Sequence, residues 1–350
     1  MKFYTQQHRY TCGIDLHARS LYVCILDDTG QTRDHKNIKA TPEALLKLIA
    51  DYQDDLIIGV ECMFSWYWIA DFCADHGIEF VLGHALYMKA IHGGKAKNDK
   101  IDSEKIARLL KGGMFPCAYV YPREMRSTRD LMRRRTKLSR DRGELMAHIH
   151  NTLSQYNLPA HPKNLRYDLH REPMRHAFTD PSAQRSVDLD LDLDRIAFYD
   201  EQLSRLEWYL KRSAKAFDAN TIIRLKSVHG IGDILSLVLL YEIHDINRFP
   251  RVQDFVSYCR LVKCQRESAG KIHGTGGARI GNPYLRWAFG EAAALFLRGN
   301  PEAQRWLEKK TRKHNKAKAL TILAHKLGRA VYYMLKRETL FDQDRFLASS

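Results

Sequence analysis

Four acids and one serine carry the chemistry that this sequence could perform. Asp15 stands inside the apolar run Gly13-Ile-Asp-Leu16, where a carboxylate needs a compensating partner because burying an unpaired charge is costly. Glu61 follows directly on Leu56-Ile-Ile-Gly-Val60, at the kind of strand end where open α/β sheets place their sites. Asp99 and Asp102, in Asn98-Asp-Lys-Ile-Asp102, are three residues apart and share one face of a helix's first turn. Singly, each has a plain role: Asp99 as a cap, Asp102 as a first-turn acid, Glu61 as an ion-pair partner. As a set from three elements they could hold two Mg²⁺ ions about 3.5–4 Å apart, which stabilises attacking and leaving oxygens at phosphorus. Ser268 lies in Gln265-Arg-Glu-Ser-Ala-Gly-Lys271, ahead of Gly274, Gly276, Gly277 and Arg279. From the residues alone this is either a flexible basic loop or a hydroxyl that approaches a phosphate, with Arg266, Lys271 and Arg279 stabilising the developing charge.

The elements that must position these groups divide the chain in three. Over residues 1–122 strand-like and helix-like patterns alternate. Thr11–Leu16 and Leu21–Leu26 read as paired strands, and Thr41-Pro-Glu43 opens a helix that carries Leu45, Leu46, Leu48 and Ile49. Residues 56–60 and 78–82 read as strands around a helix over 64–76, and a further helix runs from Asn98 through Leu110. Alternation of this kind predicts an α/β layer structure with a mixed sheet. Residues 123–219 read as charged helices over 123–155 and 190–216, which pair as a coiled coil. The acids of Val187-Asp-Leu-Asp-Leu-Asp-Leu-Asp194 suit a helix entry. Residues 220–345 read as a mostly helical domain. In it Gly230-Ile-Gly232 joins two helices, as a helix-hairpin-helix element or as a plain turn.

Charge placement narrows the partner. The net charge is +15, and from Arg260 to Ser350 there are 19 Lys and Arg against 7 Asp and Glu. A second concentration, Arg133-Arg-Arg135, is followed by Lys137, Arg140 and Arg142. Such local excess is what a polyphosphate selects, since each neutralised phosphate releases counterions. The alternative is a solvated basic face. No run reaches the ~18–20 apolar residues of a membrane span, and the N-terminus lacks the apolar core of a signal peptide, so a cytoplasmic protein is expected. The seven cysteines form no Cys-x-x-Cys pair, which argues against a zinc ribbon or a disulfide framework. Trp66, Tyr67 and Trp68 beside Glu61 are either core or a brace for the site. An actin-like or sugar-kinase ATPase also begins with an Asp-bearing strand, but its phosphate loop needs a Gly- or Thr-rich turn where this chain has Leu16-His-Ala-Arg-Ser20.

The order Asp, Glu, Asp-x-x-Asp in a β-β-β-α-β-α context resembles the RuvC-like branch of the ribonuclease H fold. Over nearly its whole length the chain resembles the DEDD-class, RuvC-like insertion-sequence transposases, bridge-RNA-guided recombinases related to the Piv-type DNA invertases. The matching motifs are Gly-Ile-Asp15, Glu61 after a strand, Lys97-Asn-Asp99-Lys-Ile-Asp102, Gly230-Ile-Gly232, Phe255-Val-Ser-Tyr258, Ser268-Ala-Gly-Lys271 and Gly281-Asn-Pro-Tyr-Leu-Arg286. Ala269 departs from the Ser-Gly-Gly-Lys form frequent in that family. The resemblance implies an N-terminal ribonuclease H-like domain and a C-terminal transposase domain. It further implies Mg²⁺ on Asp15, Glu61, Asp99 and Asp102, and a transient covalent link from Ser268 to DNA. Donor and target DNA, a structured guide RNA and a homodimer assembling to a tetramer are the implied partners, with no membrane. The basic clusters and Gly230, Gly232, Arg266, Lys271, Arg279 and Arg286 would then meet nucleic-acid backbones, and the protein would be nucleoid-associated. Two alternatives stand beside this one: a metal-only nuclease or Holliday-junction resolvase with Ser268 structural, and a non-enzymatic nucleic-acid-binding scaffold.

Overall fold

A computed structural model describes residues 2–91, 98–158, 165, 167–171, 189–263, 265–275 and 280–348. These fall into two compact units, Met1–Glu124 and Met125–Ser350.

The first unit is built on a five-stranded sheet. Strands β2 (Tyr10–Leu16), β3 (Ser20–Leu26) and β4 (Thr32–Lys39) are antiparallel neighbours. β5 (Leu56–Glu61) pairs parallel with β2, and β6 (Glu79–Gly83) parallel with β5, giving the order β4-β3-β2-β5-β6. A short pair, β1 (Phe3–Tyr4) with β7 (Phe115–Pro116), lies outside this sheet. The mixed sheet and the β-β-β-α-β-α order are as expected, and β4 is a strand that the sequence pattern does not single out.

Side chains alternate across the sheet, and the two faces are covered differently. Cys12, Ile14 and Leu16 of β2, with Leu56, Ile58 and Val60 of β5, pack against Leu45 and Ile49 of α1 (Pro42–Ile49) and Ile69 and Cys73 of α2 (Tyr67–Asp75). Trp66 belongs to this cluster and is buried against Tyr67 and Phe80, so it is core. Thr41 caps α1, its hydroxyl accepting from Ala44 N, with Pro42 at the first helical position.

The opposite face carries α4 (Asp99–Lys111), seated on glycines. A Cβ on Gly13 would stand 2.3 Å from Ala107 N and 2.4 Å from Ser103 O, and one on Gly59 2.3 Å from Leu110 Cδ1. Only glycine at these two points lets the helix lie directly on β2 and β5. Ile57, Val81, Ile106, Leu109, Leu110 and Phe115 close the layer together with Met88 of α3 (Ala85–Ile91).

In the second unit the greater part of α5 (Arg123–Gln155) runs antiparallel to a helix over Leu189–Lys226. Arg135 Nη2 donates to Glu207 at 2.6 Å, Arg142 pairs with Asp200, and His148 Nδ1 lies 2.6 Å from Asp192. Ile149, Leu153, Leu193 and Ile196 form a small apolar cluster with Leu165. The second helix runs ten residues beyond the expected end at 216, after a break at Asp218, whose carboxylate accepts from Thr221 N and restarts it. Asp233–Ile243 packs against the Leu189–Lys226 helix and is buried from Leu235 to Ile243. Pro283–Phe296 packs on it and on Lys316–Arg337, which in turn covers Val252–Tyr258. Pro301–Thr311 and Gln343–Ala348 complete the described helices of this region.

No described helix is long and apolar enough to cross a membrane. The described cysteines are free thiols.

Candidate active site

The residue after Ile14 in β2 is Asp15, and the residue after Val60 in β5 is Glu61. Because Ile14 and Val60 are register partners in a parallel pair, the two acids follow one another at the same end of neighbouring strands. Both share the parity of Gly13 and Gly59, so both are directed to the face that α4 covers. Strand direction and helix direction then meet: Gly13 lies under Ser103 and Ala107, so the first turn of α4 comes over the strand ends. Asn98 caps that turn, its side chain accepting from Ile101 N at 2.8 Å. His35 of β4 fastens the turn to the sheet, with Nε2 3.0 Å from Lys100 O and 3.1 Å from Ser103 Oγ.

Two sequence-predicted acids are thereby brought together, and an unpredicted histidine joins them. His17 Nε2 is 3.3 Å from Asp15 Oδ2 and 3.4 Å from Asp99 Oδ1. Donor atoms of Asp15, His17 and Asp99 all lie within 4.8 Å of one another. The side chains are 16%, 43% and 54% exposed respectively, so the cluster opens to solvent on the Asp99 side.

Burial pushes the Asp15 carboxyl above its ordinary value; His17 opposes this, while the negative charges of Asp99 and Asp102 add to it. Asp102 is therefore within the electrostatic reach of Asp15, although its own contact is with Lys105 Nζ at 3.5 Å. Glu61 is half-buried at its strand end and is not a member of the three-residue group. Asp15 and Asp99, gathered around one imidazole, are a fit for a divalent ion, since binding it relieves the repulsion between them. The helix N-terminus over them contributes a further partial positive charge.

Ser268 belongs to the second unit. It ends strand β8 (Gln265–Ser268), which pairs antiparallel with β9 (Lys271–Thr275), Ser268 opposite Lys271. The serine therefore stands beside a two-residue β-hairpin turn, while Gly276 and Gly277 of the expected Gly-rich loop lie outside the described residues. Ala269 (φ 51°) and Gly270 (φ 72°) both adopt the left-handed conformation that such a turn needs. Ser268 and Lys271 are both exposed at its tip. The base of the excursion is tied where Asn282 N donates to Tyr258 O at 2.6 Å and Arg260 Nε to Gly281 O at 2.9 Å. Gly281 is required there: its φ is 95°, and a Cβ would stand 2.5 Å from Tyr258 O. The side chain of Arg266, and Arg279 as a whole, lie outside the described residues. Arg286 is exposed on Pro283–Phe296.

The Gly281-Asn-Pro motif anchors a buried polar hub. Asn282 caps the helix that follows, accepting from Tyr284 N and Leu285 N, and its Nδ2 donates to Glu242 at 2.7 Å. Glu242, 2% exposed, also accepts from Arg129 Nη2 at 3.0 Å and Arg133 Nε at 2.6 Å. Burial alone raises Glu242, but Arg133, Arg129 and Asn282 outweigh it and hold the carboxyl below its ordinary value. Two members of the predicted basic triplet thus make internal ion pairs, Arg133 with Glu242 and Arg135 with Glu207. Arg134 is exposed, as are Lys137 and Arg140.

Gly230 approaches Pro283–Phe296 closely, a Cβ there standing 2.6 Å from Phe296 N. Gly232 is the exposed N-cap of Asp233–Ile243, whose first acid pairs with Lys226 and Lys211.

Two transposase family descriptions and one relative match this chain. The family described as DEDD Tnp IS110, a transposase, matches residues 12–158, which include the acidic cluster. The transposase family IS116/IS110/IS902 matches residues 223–308, which include the Ser268 hairpin and the Glu242–Asn282 hub. The transposase for insertion sequence element IS1111A of Coxiella burnetii (strain RSA 493 / Nine Mile phase I) is 22% identical over 343 residues, covering 94% of this chain and 90% of its own. Residues 12–158 accordingly carry a DEDD-class transposase region. The chain belongs to the IS110 family of insertion-sequence transposases.

Proposed function

We propose that this transposase cuts and rejoins DNA as a recombinase, with Asp15, Glu61, Asp99 and Asp102 holding Mg²⁺ and Ser268 acting as nucleophile. The observation that carries the reading is the meeting of Asp15 and Asp99 under the capped first turn of α4, from positions far apart in the chain. Divalent ions bound there would supply charge stabilisation at the scissile phosphate. The protein's own part is to keep the acids gathered, Asp15 fixed by β2 and Asp99 and Asp102 by α4. Ser268 Oγ forms a bond to phosphorus as the bond from phosphorus to the leaving deoxyribose oxygen breaks. The hydroxyl proton is lost and the departing strand end gains one. Lys271, opposite Ser268 in the hairpin, supplies positive charge beside the phosphate. The serine link conserves the ester bond, so rejoining needs no nucleotide cofactor.

In this reading residues 1–122 form the RuvC-like catalytic domain, 123–219 a coiled-coil connector, and 220–345 the domain that presents the serine. The protein works in the cytoplasm as a dimer assembling to a tetramer, with sites shared between subunits. The exposed basic residues and the 230–232 turn grip the backbones of DNA and of a structured guide RNA. The relationship to Piv-type invertases belongs to the same proposal.

The test is a cleavage and strand-exchange assay with labelled DNA, Mg²⁺ and copurified RNA, resolved under denaturing conditions. Wild type is expected to leave protein covalently attached to DNA. Ser268→Ala should abolish both adduct and exchange, and Asp15→Ala should do the same. Nicking that persists in Ser268→Ala would make the chain a metal-only nuclease. Full activity of Asp15→Ala would leave only a binding scaffold.

A further inference from the structure

The position of His17 is not accounted for by the four-acid reading. Its Nε2 faces two carboxylate oxygens at once, at 3.3 Å and 3.4 Å. A charge-assisted hydrogen bond from a ring nitrogen to a carboxylate closes to about 2.7–2.9 Å, and one N–H serves one acceptor well. Two equal and long separations are poor hydrogen bonding. They are the right size for three donors around a common ion: ligand atoms about 2.1 Å from a metal stand about 3.0 Å apart on an octahedron and about 3.4 Å apart on a tetrahedron. The backbone favours this as well. His17 N donates to Ser20 O at 3.0 Å in the turn between β2 and β3, which fixes the residue at the mouth of the cluster. The imidazole therefore stands between an acid of β2 and an acid of α4, and no other described His, Cys, Asp or Glu joins them at that spacing.

We propose that His17 is a nitrogen ligand of the metal centre, making one of its cation sites a mixed nitrogen–oxygen site with Asp15 and Asp99. The inference rests on the reading of the acidic cluster as a metal centre. Imidazole is a better donor to transition metals than to Mg²⁺, which prefers oxygen. The site should therefore bind Mn²⁺ more tightly than an all-oxygen centre would, with little gain for Mg²⁺.

Mn²⁺ alone is the probe. The full-length protein, cleared of metal by chelation, is titrated with Mn²⁺ and followed by electron paramagnetic resonance. Pulsed spectra then read nitrogen-14 bound directly to the ion, and Mg²⁺ affinity is measured by competition. Wild type should show the nitrogen coupling. His17→Ala and the size-conserving His17→Gln should both lose it, with Mn²⁺ affinity falling at least tenfold and Mg²⁺ affinity falling far less. Asp15→Asn should abolish binding at this site. Nitrogen coupling that is absent from wild type, or persists in both His17 variants, overturns the assignment of His17; if Asp15→Asn still abolishes binding, the acidic centre survives. Failure of wild type to bind Mn²⁺ overturns both.

Discussion

Asp15 occupies a position that favours function over comfort. Its carboxyl is raised by burial and by the charges of Asp99 and Asp102, with His17 giving partial relief. A raised carboxyl means that the fold disfavours the ionised form. Without metal, stability should fall as pH climbs from the ordinary value of 3.8 through the raised one. Asp15→Asn removes that cost. The variant is expected to melt at a higher temperature than wild type at neutral pH in chelator, the difference closing as pH drops below the ordinary carboxylate range, while strand cleavage is lost. Thermal denaturation at two pH values checks the first part, and a melting temperature at or below that of wild type would refute it. Asp15 and Asp99 could be singled out beforehand, the first as a carboxylate inside an apolar run and the second at a helix start. His17 could not, because a single histidine in a turn carries no periodic signal, and its second partner lies on an element far along the chain.

Helix α4 depends on two glycines it does not contain. Gly13→Ala places a methyl group against the backbone of Ser103 and Ala107, which cannot yield as a side-chain tip could. Overpacking of this kind costs about 1–3 kcal/mol, and it lifts the turn that holds Asp99 and Asp102 away from Asp15. Urea denaturation should show the loss, and Mn²⁺ binding should weaken even under conditions where the variant stays folded. Most elements of this unit could be read beforehand, from apolar runs and from the caps at Thr41 and Asn98. Strand β4, Thr-Arg-Asp-His-Lys-Asn-Ile-Lys, could not: it is an edge strand with much of its length exposed, so it needs little apolar alternation. The Ser268 hairpin was hidden for another reason. Its turn uses Ala269 at a left-handed position that usually advertises itself with glycine or asparagine. In α5 the buried positions include Arg126, Thr128, Arg129, Arg135, Thr136 and Arg142, so the inward face is polar and its register is lost among the outward charges.

Across the whole molecule, positive charge serves two ends that composition alone does not separate. Arg129 and Arg133 neutralise Glu242, and Arg135 neutralises Glu207. Arg134, Lys137 and Arg140 face outward. Arg134→Ala and Lys137→Ala are each expected to weaken nucleic-acid binding and to lower the salt dependence by about one unit of slope, with folding unchanged. Arg129→Ala should do the reverse. Removing one partner of the buried Glu242 lowers stability, with Arg133 and Asn282 left to hold the carboxylate, and the salt slope of whatever remains folded should match wild type. Binding titrations at several salt concentrations, set beside denaturation curves, separate the two groups; a lowered slope in Arg129→Ala would refute the division.

The pairing of β2 with β5 has a consequence for how this centre tolerates change. Neighbouring strands are held about 4.8 Å apart by amide-to-carbonyl bonding, whatever side chains line them. The interval between the Ile14 and Val60 backbones, one residue before Asp15 and Glu61, is thus a property of peptide chemistry itself. Hydrophobic residues beneath can drift, swap sizes or accumulate neutral replacements while that ruler keeps its length.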